Sequence, residues 1–162
     1  MNLDIIDYQV LDALQTDGRM KRSDLAEKVN LSLPALSERL RKLETEGYIV
    51  GYAAKLNHRV FGKDITAFVS VTIDSSKHFP TFVEHAEKNE EILECHAVTG
   101  EGTHIVKVRT DNTESLERLL AKVQSWQGVV HTRTSIVLST QKETFRIKLP
   151  IKMNNPVPEK LS

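Results

Sequence analysis

Cysteine is almost missing from this chain: Cys95 stands alone among 162 residues. A single thiol excludes an intrachain disulfide framework and a multi-cysteine zinc site, and it fits a reducing, intracellular setting. The six histidines do not make up for it. Cys95 and His96 are adjacent on an expected strand and so face opposite sides, and His78 and His85 lack the i, i+4 spacing of a helical metal pair. Cys95 reads as a small buried hydrophobe, and no metal or other cofactor is expected. Net charge is missing as well: Lys and Arg number 22, as do Asp and Glu. No global charge therefore advertises a polyanionic partner. Long apolar runs are lacking too. No stretch approaches the ~18 apolar residues that span a bilayer, and Asp4 and Asp7 interrupt the N-terminal apolar residues, which argues against a signal peptide. The expectation is a soluble cytoplasmic protein with no membrane partner.

What charge there is lies unevenly. Gly18 to Lys42 holds seven basic residues against three acidic ones, whereas Phe61 to Thr140 holds eight against eleven. One basic window on a balanced chain points to one electropositive face. Inside it lies Leu31–Glu46, LSLPALSERLRKLETE. Leu33, Leu36, Leu40 and Leu43 recur in steps of three and four, so they share one side of a helix. Pro34, Ala35, Glu38, Arg41, Lys42 and Thr45 fall on the other. A leucine stripe opposite small and basic residues suits a DNA recognition helix, and by itself it suits any amphipathic helix equally well.

The neighbouring residues decide between these. Asp4 caps a first helix running to Gln15, with Asp7 at capping-box spacing, and Gly18 is free to turn left-handed after it. Ser23 caps a short helix, Asp24–Val29. Ser32 caps the third, with Pro34 in its first turn and Gly47 at its end. Tyr48–Ala54 reads as extended. Three short helices with a tight turn before the last form a helix-turn-helix, here with a wing or a strand leading away. None buries enough to fold alone. Together they share a core of Ile6, Val10, Leu14, Leu25, Val29, Leu31, Leu36, Leu40, Leu43 and Ile49.

After turn signals at Asn57-His58 and Gly62, the composition changes. Thr66–Ile73 is a β-branched strand, with apolar residues in both registers (Ala67, Phe68, Val69, Val71). Phe79–Lys88 is a helix, Ile92–Thr99 and His104–Arg109 are strands, Thr113 caps a helix over Glu114–Ser125, and Val129–Leu138 is a fourth strand. The order β-α-β-β-α-β is ferredoxin-like. Glu143–Ile151 offers one more strand, and the residues beyond it read as a tail. The expected fold class is α+β, divided as 1–52 (winged helix-turn-helix), 53–64 (hinge), 65–151 (ferredoxin-like sensing and assembly domain) and 152–162 (tail).

These words resemble the Lrp/AsnC, or feast/famine, family of transcription regulators. The likeness rests on Leu3-Asp4 with Asp7, Leu14-Gln15-Thr16-Asp17-Gly18-Arg19, Leu25-Ala26-Glu27, Leu31-Ser32, Arg39-Leu40-Arg41-Lys42-Leu43-Glu44 and Gly47-Tyr48-Ile49-Val50-Gly51-Tyr52. Val98-Thr99-Gly100 and Gly128-Val129 continue it, so that it spans the chain to about residue 150. The resemblance implies a DNA-binding head joined by a hinge to a ligand-sensing domain. It also implies homodimers that assemble into tetramers or octamers, and an amino acid or related metabolite as effector. It implies a regulator, not an enzyme. Proteins similar to this family also decarboxylate a sirohaem-type tetrapyrrole, but that chemistry needs several cationic carboxylate binders. Between Phe61 and Thr140 the only arginines are Arg109, Arg118 and Arg133. A weakly specific architectural DNA-binding protein is the other alternative.

Double-stranded DNA is thus the expected partner. Ser32, Pro34, Ala35, Ser37 and Glu38 are the candidates for base edges, with Lys21, Arg22, Ser23, Arg39, Arg41 and Lys42 on the backbone. Glu38 either reads cytosine or pairs with Arg41 and Lys42 along the helix. Arg39 lies nearer the leucine edge and alternatively braces the fold. The effector candidate is the loop Thr99, Gly100, Glu101, Gly102, Thr103 and His104. Its glycines expose N–H groups to a carboxylate, while Glu101 or Thr103 meets an ammonium. The bland alternative is a plain hairpin turn. The resembled family commonly has aspartate where Thr103 stands, and this chain departs from it there.

Overall fold

The computed structural model describes residues 2–150 and falls into two compact units. One unit holds the chain up to Lys55 together with the segment from Glu143 on; the other holds Leu56–Lys142. The first unit, the head, contains α1 (Ile5–Thr16), α2 (Arg22–Lys28) and α3 (Leu33–Thr45). The Asp4 carboxylate accepts from Asp7 N–H and Asp7 accepts from Asp4 N–H, both at 2.9 Å, so α1 starts on a reciprocal capping box. α2 starts earlier than expected, at Arg22, and Lys21 occupies its cap position without a side-chain bond. The Ser23 hydroxyl donates to Asp24 instead.

The turn between α2 and α3 is set by two backbone bonds. Leu31 N–H reaches Ala26 C=O (2.9 Å) and Asn30 N–H reaches Glu27 C=O (3.1 Å), a Schellman closure with Asn30 at φ 59°. Asparagine tolerates that left-handed conformation, which lets α3 start after only a few residues. α3 ends the same way. Tyr48 N–H bonds Leu43 C=O, Gly47 N–H bonds Glu44 C=O, and Gly47 sits at φ 75°. Gly18 does not use its freedom: it is absent from the positive-φ glycines, and the Asp17 carboxylate holds the turn by accepting from Arg19 N–H.

Val10, Leu11, Ala13, Leu25, Ala26, Val29, Leu36, Leu40 and Leu43 form the head core. Ile6, Leu14, Leu31 and Ile49, expected inside, are half-buried at its edge. Leu33 leaves the stripe altogether and is 50% exposed. Of the two readings of the segment after α3, a wing or a strand leading away, the described residues 48–57 pair into no strand ladder within the chain. The segment 143–150 forms none either. It lies along α1 as a strap: the Gln15 carboxamide accepts from Ile147 N–H (2.8 Å) and donates to Ile147 C=O (3.3 Å), Arg146 pairs with Asp12, and Leu149 packs on the core. The last residue of the expected strand, Ile151, and the tail after it lie outside the described residues.

The second unit runs β1 (Ile65–Ile73), α4 (Phe79–Glu87), β2 (Ile92–Ala97), β3 (His104–Thr110), α5 (Thr113–Gln124) and β4 (Val129–Ile136). α5 starts one residue before expectation, because Asn112 and Ser115 make a reciprocal cap and Thr113 lies inside the helix. The antiparallel sheet has order β2-β3-β1-β4, the ferredoxin-like arrangement. One face, Ala67, Val69, Val71, Ile73, Val106 and Val108, is buried with Phe82, Ala86, Leu116, Leu119, Val123 and Trp126. The opposite face is mostly polar. On β1 it presents Thr66, Phe68, Ser70 and Thr72, so only Phe68 continues the apolar register there.

Among the described residues, Arg39 makes a long-range charge tie to a buried carboxylate of the head. Its guanidinium donates to Asp7 (2.6 Å) and Asp4 (2.8 Å), and the Asp7 side chain is only 4% exposed. Removing the cation strands Asp7. Arg39→Met is expected to lower the head's unfolding free energy by about 2–4 kcal/mol, and adding Asp7→Asn should return part of that loss in a double-mutant cycle read by denaturant unfolding. Additive losses would show that the two groups are not coupled.

Candidate DNA-recognition helix and effector loop

α3 divides its residues sharply. Leu36 and Leu43 are 0% exposed and Leu40 5%, whereas the side chains of Arg41 and Lys42 are 64% and 53% exposed. Lys21, Arg22, Ser23, Ser32, Pro34, Ala35 and Glu38 are also exposed, and Ser37 is half-buried. Ser32 accepts from Ala35 N–H at 3.4 Å, a long cap bond that leaves its hydroxyl proton available. Glu38 turns along its own helix. Its carboxylate accepts from Arg41 Nε (3.1 Å) and Nη2 (2.8 Å), with Lys42 Nζ at 3.6 Å, and the Arg41 hydrogen bond holds the carboxyl below its usual range. Of the two readings of Glu38, the ion pair along the helix is the one present here.

Arg39, grouped with the backbone cations from sequence, is placed elsewhere. It turns under α1 to Asp4 and Asp7, because one helical step beyond Glu38 carries it to the core edge. Hydrogen bonds to the two carboxylates, Asp7's first, raise its pKa. One contact escaped the sequence reading: the Tyr52 phenol, just before the expected hinge, donates to Glu44 of α3 at 3.0 Å. Burial and that carboxylate both push the phenol up.

The candidate effector loop joins β2 to β3 and is held from below. Val98 N–H bonds Thr103 C=O, Thr103 N–H bonds Val71 C=O, and Ser70 Oγ donates to Glu101 C=O at 2.8 Å. Gly102 sits at φ 90°, and a Cβ there would come 2.6 Å from Ser70 Oγ, so only glycine fits. Gly100, at φ 105°, faces open space. Thr103 does not offer its hydroxyl outward: Oγ1 donates to Val71 C=O and accepts from Ile73 N–H, both at 3.2 Å. His104 also leaves the loop surface. It is 2% exposed, with its ring 4.8 Å from Phe79 and 5.1 Å from Phe82. The alternation that makes His104 the first residue of β3 turns it to the helix-covered side. Thr99, Gly100 and Glu101 are the residues that stay exposed. Glu101 forms an ion pair with Arg133 of β4, a neighbour the sequence reading had not associated with the loop. The signal was present in the strand register, where Ser70 opposes Arg133, but register is not readable before the sheet order is known.

A family model for the Lrp/AsnC ligand binding domain matches residues 66–147, and one for a winged helix-turn-helix DNA-binding domain matches residues 3–50. The leucine-responsive regulatory protein of Klebsiella pneumoniae is 35% identical over 149 residues, 90% of this chain and 91% of its own. The chain belongs to the Lrp/AsnC family. A proline dehydrogenase transcriptional activator of Rhizobium radiobacter is 36% identical, covering 88% of this chain and 94% of its own. Among solved structures, a transcriptional regulator of Neisseria meningitidis in complex with L-methionine gives a TM-score of 0.87 at 30% identity, covering 92% of this chain and 98% of that one. A feast or famine regulatory protein of M. tuberculosis, complexed with L-methionine, gives 0.81 at 33%, covering 90% and 99%. As an Lrp/AsnC member the chain is a transcription regulator with a DNA-binding head and a ligand-binding domain, not an enzyme, which removes the decarboxylase alternative.

Burial lowers the His104 pKa from the ordinary value of 6.5. The unfolded chain therefore takes up this proton first, so the stabilisation is complete above the ordinary value and declines as pH falls towards the lowered one. The sensor domain's melting temperature is expected to drop between about pH 7.5 and about pH 5.5, and His104→Leu should flatten that drop. An equally steep profile in the variant would assign the acid sensitivity to other groups.

Proposed function

We propose that this regulator binds specific DNA sequences as a homodimer or a larger even-numbered assembly, and that an amino acid or related small metabolite modulates that binding. The partition of α3 carries the proposal: buried leucines fix the helix while its first turn and its basic second half stay wet. The first turn, Pro34 and Ala35 with Ser37, would face base edges, and Lys21, Arg22, Arg41 and Lys42 would hold phosphates. Glu38 would have to release Arg41 to reach a cytosine. One head neutralises few phosphates, so affinity requires two heads about 34 Å apart, one DNA turn. The mostly polar sheet face around Phe68, with Ile105 opposite Ser70 on β3, is the surface that a second copy would cover.

At the loop, Glu101 and Arg133 place opposite charges side by side. An amino acid carries the complementary pair, its ammonium for Glu101 and its carboxylate for Arg133, with the N–H groups near Gly100 as further donors. The two relatives solved with L-methionine support an amino acid as the chemical class.

The test is binding of the full chain to duplex DNA from upstream of its own gene, across a salt series and with each amino acid added in turn. Binding at low salt that at least one amino acid shifts is expected, and no binding at low salt would sink the proposal. Changing Arg41 and Lys42 together to Ala should weaken binding to all sequences and reduce the salt slope by about 2 per head. An unchanged slope would take both residues off the phosphates.

A further inference from the structure

Leu33 stands apart from the other leucines of α3. By helical phase it belongs with Leu36, Leu40 and Leu43, which are at most 5% exposed, yet it is 50% exposed. The reason is positional. Leu31 packs on the head core from before the helix and Leu36 from its second turn, with Ser32 capping between them. Leu33 is the first helical residue and lies between them without joining that packing. Burying a leucine fully is worth about 1.5–3 kcal/mol, and much of that is left unused here. The residues around it are also bare. Ser32, Pro34 and Ala35 are exposed, so the first turn of α3 shows Leu33, Pro34 and Ala35 with no hydrogen-bonding side chain among them. Exposed cations lie on the same three-helix head, at the start of α2 (Lys21, Arg22) and in the second half of α3 (Arg41, Lys42).

An apolar tip on a cationic head fits one kind of occupant. A second copy of the same surface would bring its own cations into opposition, whereas duplex DNA supplies phosphates for the cations. In the major groove the thymine C5-methyl is the one apolar feature on the base edges. We infer that Leu33 is a specificity-determining residue that packs on a thymine methyl, so that each head selects thymine at one position by its methyl group. The inference rests on the proposed entry of α3 into the major groove. It adds that the selection at that position is apolar, made by the methyl group and not by a hydrogen bond.

Sites are first selected from a random duplex pool by the full chain, with wild type and Leu33→Ala in parallel. In the wild-type site, each enriched thymine is then replaced by deoxyuridine, which keeps the hydrogen-bonding edge and lacks the methyl. Wild-type affinity is expected to fall about four-fold per half-site at one position, the effect of one buried methyl-sized group. Leu33→Ala should bind the thymine and deoxyuridine duplexes equally and lose thymine enrichment at that position alone. Leu33→Met, which keeps the apolar bulk, should retain the enrichment, and both variants should keep the wild-type melting temperature because Leu33 lies outside the core. Enriched sites whose deoxyuridine effect is the same in Leu33→Ala as in wild type would overturn the role of Leu33 while leaving sequence-specific binding intact. A pool with no enrichment would overturn both readings.

Discussion

The contact on which the head depends is the charge cluster joining α3 to the start of α1. Arg39 donates to Asp7 and Asp4, and the same two carboxylates form the capping box that begins α1. One guanidinium therefore closes a helix terminus and fixes the roll of another helix. Leucines alone would hold α3 against the core, but non-directional packing tolerates rotation about a helix axis better than a two-point charge contact does. With the roll set, Leu36, Leu40 and Leu43 point inward, and Arg41 and Lys42 stay in water. A buried carboxylate needs its partner, so this geometry is stabilised only as a whole.

The sensor domain solves a related problem with backbone bonds. Its candidate loop is pinned through Thr103, Ser70 and Gly102 to the adjacent strand, and what stays exposed is the tip, where the Glu101 side chain pairs with Arg133 of β4. A rigid base under a charged tip would leave little ordering to be done if the proposed amino acid binds there. His104 contributes to that base from beneath: neutral and packed against Phe79 and Phe82, it fills the core.

Much of this was legible in the residues. Helix starts at Asp4 and Ser32, the stop at Gly47 and the β-α-β-β-α-β order all follow from local rules of capping, left-handed turns and period. The ambiguous positions have a common cause. Leu33 matched the stripe but stays half-exposed; His104 matched the loop but alternates inward; Arg39 fitted both the basic face and a brace of the fold, and the brace to α1 is the one present. Each is a residue whose local pattern fits two places, and only the neighbours supplied by distant segments choose between them. The strap is the plainest case. Nothing near Gln15 announces that its carboxamide will pair with Ile147, and the backbone of 143–150 meets side chains of α1 where a strand was expected.

By itself the sequence determined the three helices of the head and the β-α-β-β-α-β order, that the chain has a basic helix-turn-helix half and a β-rich half, and which family it belongs to. Those properties depend on side-chain period and on contacts a few residues long, which survive in a one-dimensional reading. Only the tertiary structure decided which polar groups are already occupied. That set Arg39 on Asp7, Thr103 on Val71, and Glu101 beside Arg133, and it left Leu33 in water. A hydrogen bond or a buried charge is completed by whichever partner the fold brings within about 3 Å, and that partner stands tens of residues away along the chain.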